Sequence, residues 1–318
     1  MSKLTKNGKN LILENTIVSY SPKDDTIHIT SADPDLYGEP FHISLNQSSQ
    51  TENTLRALLI EQGVIKEDII GTNLPENLTT PKTFNEDPNI FDLGVSRQGI
   101  VSWEPAKDSH LGIYGYTGSG KTVVANNILF QALKNQDIWD VYCFDPTRVE
   151  YKHVKNTLNN SDNYADNRDS ALAIMENLFK SRVDQFAKNE TIKPIILFID
   201  EIAAWINSFS WEDDEYKELF ISYLTKILRE GQSFQIYVVF TSQSPDLLDE
   251  VIQNSFPSSI TMGRSNENMS KIAFGSNIAV RTPKIKGRGY FKFGNTEPSQ
   301  FQSYWTPISK FDEIPDKN

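Results

Sequence analysis

Gly115-Tyr116-Thr117-Gly118-Ser119-Gly120-Lys121-Thr122 fits the pattern G-x-x-x-x-G-K-[ST], and its flanks fit too: the apolar run Leu111 to Tyr114 precedes it, and Val123-Val124-Ala125 opens a helix after it. Glycines allow the backbone amides to turn inward around phosphate oxygens, and the N-terminus of the following helix adds its positive end. In such a loop Lys121 reaches the β- and γ-phosphates of a nucleotide, and the Thr122 hydroxyl ligates magnesium. Strand, glycine loop and helix together predict a site for ATP or GTP with Mg2+, lined by residues 115–122.

A second element supports the first. Pro194 to Glu201, PIILFIDE, is an apolar strand run that ends in two carboxylates. Asp200 at its end is placed to hold magnesium through water, and Glu201 beside it to polarise an attacking water. A third element is Ile236 to Phe240 followed by Thr241-Ser242-Gln243-Ser244-Pro245. In the subclass of phosphate-loop folds with an extra strand between the loop strand and the acidic strand, a polar residue at that strand's tip faces the γ-phosphate. Gln243 is the candidate.

Around these motifs, apolar runs alternate with helical ones. Strands are expected at 111–114, 139–144, 195–199, 236–240 and 259–262, and helices to about Lys134, over 169–187 and over 215–229. Crossovers of this length imply a mostly parallel sheet covered on both faces, an α/β fold of the additional-strand class. Gly294-Asn295 between short aromatic runs predicts a terminal hairpin. Upstream, Ile27/Ile29 and Phe41/Ile43/Leu45 alternate as strands, and Leu55, Leu58 and Leu59 follow a Thr51 cap at helical spacing. Residues 1–73 therefore read as a small α+β module, 74–89 as a Pro-containing linker, 90–310 as the ATPase unit and 311–318 as a polar tail.

The chain has 318 residues, with Lys+Arg 31 against Asp+Glu 42 and a formal charge of -11. That excludes a protein whose whole surface coats nucleic acid. The acid is unevenly spread: residues 1–110 are net -7 and 111–257 net -8, whereas 258–310 are net +6. Within the last segment, Arg281-Thr282-Pro283-Lys284-Ile285-Lys286-Gly287-Arg288 is the densest basic stretch and a candidate phosphate-contacting loop. Apolar runs stop far short of the roughly 20 residues that cross a bilayer, so no direct membrane insertion is expected. One cysteine, Cys143, allows no intrachain disulfide, and a cytoplasmic setting is expected. His28, His42, His110 and His153 show no metal-ligand spacing. Asp145 reads as a structural group at a strand exit, and Glu212 to Glu215 as a solvated helix start.

From about Leu93 to Trp305 the chain resembles the FtsK/SpoIIIE superfamily of translocases. The stretches that carry the likeness are LGVSRQGIVSW with HLGIYGYTGSGKT, CFDPTRVE at 143–150, ILREGQS leading into VVFTSQSP, and GRGYFKFGNTEPSQFQSYW at 287–305. The last looks closest to ATPase modules of type VII secretion systems in the same superfamily. The resemblance implies an ATP-hydrolysing motor, a homo-hexameric ring, and DNA held by local, sequence-independent contacts in plasmid or mobile-element transfer. It also implies a membrane anchor on a partner protein, since this chain lacks the family's membrane segment. The alternative it implies is an ATPase that energises protein secretion. Gln232 stands where the family usually carries Arg, so an arginine acting on a neighbouring subunit has to come from elsewhere; Arg229 and Arg264 are the candidates.

Overall fold

The computed structural model describes residues 84–207 and 214–314, Leu74, Leu78, and five strands near the N-terminus. The chain divides into two compact units, Met1–Leu74 and Pro75–Asn318.

The first unit contains β1 (Leu4–Asn7), β2 (Asn10–Leu13), β3 (Thr16–Ser21), β4 (Thr26–Ser31) and β5 (Phe41–Ser44). They form an antiparallel meander in chain order. The two strands expected from alternation are β4 and β5, paired Ile27↔Ile43 and Ile29↔Phe41. Three further strands precede them, in stretches such as Thr-Ile-Val-Ser-Tyr-Ser that carry no strict alternation. The helix expected after Thr51 lies outside the described residues.

The second unit is built on a ten-stranded sheet, β10-β9-β11-β12-β8-β13-β14-β15-β6-β7. Its parallel part comprises β8 (Leu111–Tyr114), β9 (Asp140–Phe144), β10 (Tyr164–Ala165), β11 (Ile195–Ile199), β12 (Ile236–Ser242) and β13 (Ser258–Met262). Every residue of β8, β11, β12 and β13 is buried, as helices on both faces require. The main cover is α1 (Lys121–Lys134), α2 (Arg168–Ala187), α3 (Asp214–Glu230) and α4 (Glu267–Phe274). The side chain of Asn167 caps α2 by accepting from Ser170 N, one residue before the helix starts. Strand β12 separates the loop strand β8 from the acidic strand β11, as the additional-strand class requires.

Four antiparallel strands finish the sheet: β14 (Arg288–Lys292) and β15 (Ser299–Ser303) form the expected hairpin, which continues into β6 (Phe91–Ser96) and β7 (Gly99–Trp103). The sequence reading had no strands for 91–103. Their half-exposed, glycine-bearing residues give weak periodicity, and pairing to β15 is what orders them.

Residues on either side of 90–310 pack against it. Within the stretch read as a linker, Phe84 packs on Phe130 with ring centres 6.1 Å apart, and the Pro88 carbonyl accepts from Trp139 Nε1 at 3.0 Å. The stretch read as a polar tail buries Phe311 and Ile314, with the Phe311 ring 4.5 Å from His153 and 5.5 Å from Phe130.

Register positions the site. Tyr114 pairs with Ser242, and Ile199 pairs with both Phe240 and Phe144. The residues that leave these strands, Gly115, Gln243, Asp200 and Asp145, therefore emerge along one edge of the sheet.

Candidate nucleotide site

The phosphate loop is a folded cradle. Gly115 N donates to Ser242 O at 3.2 Å and Ser119 N to Tyr116 O at 3.1 Å. Gly115, Gly118 and Gly120 have φ of 152°, 75° and 110°. At Gly115 a side chain has no room: a Cβ would stand 2.7 Å from the Met262 carbonyl and collide with Ser119 Oγ. Tyr116, Thr117 and Gly118 are exposed at the loop's crest. No side chain caps α1 at Gly120, so its N-terminal dipole faces the cradle uncovered. Ser119 Oγ is buried there without a hydrogen-bond partner. An orphaned hydroxyl, glycine geometry and an uncapped helix start are the features a bound polyphosphate satisfies.

Opposite the loop, Lys121 Nζ lies 3.2 Å from Glu201 Oε1. Gln243 holds the same carboxylate from the other side, Nε2 donating to Oε1 at 2.9 Å and its backbone N to Oε2 at 3.1 Å. The Gln243 carbonyl oxygen accepts from the Thr117 hydroxyl at 2.6 Å, which closes a chain from loop to acid to strand tip. Glu201 has φ 44°, a left-handed conformation that costs a non-glycine residue about 1 kcal/mol or more and is found where a side chain must be aimed.

Asp200 is buried, and Thr241 orders both acids: its hydroxyl donates to Asp200 Oδ1 at 2.7 Å and accepts from Glu201 N at 2.8 Å. Burial pushes the Asp200 carboxyl up to about 7; the Thr241 hydrogen bond opposes this, while Glu201, Asp145 and Glu150 add to it.

Of the residues expected from sequence, 115–122, Asp200, Glu201 and Gln243 gather here. Arg264 follows β13 at the same edge, next to Gly263, where a Cβ would approach Ser119 Cβ at 3.2 Å. Arg229 does not join them. It is exposed at the end of α3, next to Leu228, whose carbonyl accepts from His110 at the entry of β8, the opposite end of that strand. Gln232 is spent on the fold, donating to Ala106 O at 3.0 Å. Arg288, counted in the basic stretch, is fully buried and donates to Gln302 Oε1 at 2.9 Å, so the exposed basic groups there are Arg281, Lys284 and Lys286. Thr241 and Glu150 had no assigned role. Thr241 sat inside an apolar strand run with nothing local to mark it, and Glu150 was visible only as the end of CFDPTRVE.

The chain matches the AAA ATPase family (ATPase family associated with various cellular activities) over residues 111–264. It is 24% identical to the DNA translocase FtsK of Halalkalibacterium halodurans, over 75% of this chain and 34% of that protein. It is 23% identical to the FtsK domain-containing protein YdcQ of Bacillus subtilis, over 68% of this chain and 48% of that one. The chain spans about a third to a half of the length of these relatives. Two solved structures share its fold. The pCW3 conjugation coupling protein TcpA, solved with ATPγS, is 18% identical and covers 94% of this chain and 92% of its own, with a TM-score of 0.69. EssC (ATPases 2 and 3) of Geobacillus thermodenitrificans is 17% identical and covers 76% of this chain and 50% of its own, with a TM-score of 0.62. Among the described residues, no helix is long and apolar enough to cross a membrane.

Proposed function

We propose that this chain is an FtsK-type ATP hydrolase, a cytoplasmic motor that moves DNA in plasmid or mobile-element transfer or processing. The observation that carries the reading is the convergence of Lys121, Glu201 and Gln243 at one strand edge of a chain similar in sequence to FtsK translocases.

In this reading residues 115–120 wrap the phosphates, Lys121 neutralises the β- and γ-phosphates, and Thr122 and Asp200 hold magnesium, which supplies positive charge to the transferring phosphoryl group. Entering phosphate charge draws Lys121 away from Glu201. The freed carboxylate accepts a proton as the oxygen of a water attacks the γ-phosphorus; the bond to the β-phosphate oxygen breaks and ADP leaves. Gln243, already on Glu201 and Thr117, reports occupancy to the strand tip. Arg229 is exposed and remote from its own loop, as a residue acting on a neighbour must be, and fits that role in a homo-hexamer. Arg264 fits a role at its own loop.

Residues 90–310 are the motor and 1–73 an accessory module, with a membrane-anchored partner protein supplying attachment. Arg281, Lys284 and Lys286 offer phosphate contacts without base reading.

The test is the ATPase rate with double-stranded DNA, single-stranded DNA or neither. Stimulation by DNA that disappears in Lys121→Ala is expected. Indifference to DNA at low salt sinks the motor reading and leaves the alternative, an ATPase that energises protein secretion.

A further inference from the structure

The loop after β9, Asp145 to Tyr151, has no part in the chemistry above, yet one of its residues reaches the phosphate loop. Asp145 is fully buried and its carboxylate accepts four hydrogen bonds. Oδ1 takes Thr147 N at 3.0 Å and the Thr147 hydroxyl at 2.6 Å; Oδ2 takes Tyr151 N at 3.0 Å and the Tyr164 hydroxyl at 2.8 Å. Thr147 Oγ1 in turn accepts from Val149 N at 3.3 Å and Glu150 N at 3.1 Å. The chain is thus wound around one buried acid, and Arg148 takes φ 63° to complete the turn. From this bracket Glu150 Oε1 accepts the Thr122 hydroxyl at 3.0 Å.

A second polar group lies at the same hydroxyl. The Tyr151 phenol is buried beside Thr122, and its oxygen has no hydrogen-bond partner. Among the described residues, no three His, Cys, Asp or Glu side chains converge closely enough to hold a metal by themselves. Magnesium suits such a place, because it takes few protein ligands and keeps several waters. Groups that hold those waters tune affinity nearly as strongly as the ligands do.

We propose that Glu150 is a positioning residue for the nucleotide's magnesium ion. Set by the Asp145 bracket, it engages Thr122 in the free protein and holds the cation's water shell in the nucleotide complex, with the Tyr151 hydroxyl as its neighbour. The inference rests on the ATPase reading of the site. What it adds is a requirement for the negative charge at 150, beyond an oxygen that accepts from Thr122.

Glu150→Gln separates the two, since glutamine keeps an acceptor and loses the charge. Binding of a fluorescent ATP analogue is titrated against free Mg2+ for the wild type, Glu150→Gln, Glu150→Ala and Thr147→Val, with a parallel series in EDTA. The half-saturating Mg2+ is expected to rise about tenfold or more in both Glu150 variants, and to rise in Thr147→Val, whose loop loses its ties to Val149 and Glu150. Affinity in EDTA is expected to stay at the wild-type value. An unchanged Mg2+ dependence in Glu150→Gln overturns the proposal. Absence of any nucleotide binding in the wild type overturns the site reading beneath it, a distinct result.

Discussion

Lys121 Nζ stands 3.2 Å from Glu201 Oε1, so the group proposed to reach phosphate is tied to the group proposed to take a proton from water. Gln243 reinforces the tie from the strand tip at 2.9 Å. Both partners are largely shielded from solvent, which makes the contact stronger than an exposed ion pair. While it lasts, neither residue is free for the role proposed for it. In the proposed mechanism, nucleotide binding and exposure of the base are thereby coupled through one carboxylate.

Replacing Glu201 by Gln should separate binding from turnover. The variant loses the proton acceptor, so steady-state ATP hydrolysis should fall by about 10² to 10⁴-fold. Lys121 no longer has a charged partner to leave, so equilibrium binding of an ATP analogue should be tighter, by about a few-fold or more. Wild-type hydrolysis by this variant would remove Glu201 from the mechanism.

Gly115→Ala should damage the cradle without touching a charged group. The new Cβ meets the Met262 carbonyl at 2.7 Å, and backbone cannot rotate aside as a side chain can. The loss should be about 1 to 3 kcal/mol in denaturant unfolding, with nucleotide affinity weakened in parallel. A Gly99→Ala control carries a similar positive φ with open space around it, and should lose stability but keep nucleotide affinity.

The comparison of sequence with structure turns on range. The phosphate loop was legible because its chemistry is local: glycines, Lys121 and Thr122 lie within eight residues of one strand-to-helix turn. Asp200 and Glu201 were legible because a continuous apolar strand has to end somewhere, and two acids there are distinctive. Thr241 was not, since its hydrogen bond to Asp200 joins residues 41 apart and follows from β11 lying beside β12 in register. The β6–β7 hairpin was missed for a similar reason: its partner strand β15 lies some 200 residues downstream. The basic stretch misled in one respect, because buried Arg288 is a sheet residue held by Gln302, and composition cannot distinguish such an arginine from one on the surface.

His110 should make stability depend on pH. Its Nδ1 accepts from Val238 N at 3.0 Å, which leaves Nε2–H to donate to Leu228 O at 3.0 Å, so the ring is held neutral between β8, α3 and β12. Burial lowers its pKa from 6.5 to about 4. Between those values the unfolded chain binds the proton and the folded one does not, so stability rises with pH across that window and levels off above it. The whole window is worth on the order of 3 kcal/mol. Urea unfolding at pH 5 and 7.5 checks it: the stability gap between wild type and His110→Gln should narrow at the lower pH. A gap that is the same at both would mean that the ring titrates normally.

Arg229 poses a test of assembly. It is exposed at the edge of the sheet away from its own phosphate loop, so an effect on hydrolysis has to reach a neighbouring subunit's nucleotide. Arg229→Ala keeps a complete loop, and Lys121→Ala keeps a complete Arg229; each alone should hydrolyse ATP poorly, with losses of about 10³-fold for the arginine. In a head-to-tail ring each site joins one subunit's loop to the next subunit's arginine, so an equal mixture restores both groups at about a quarter of the interfaces. ATPase activity in the mixture should rise to a comparable fraction of the wild-type rate, although both components are inactive. Mixtures no more active than their parts, with Arg264→Ala in place of Arg229→Ala giving recovery, would transfer the role to Arg264.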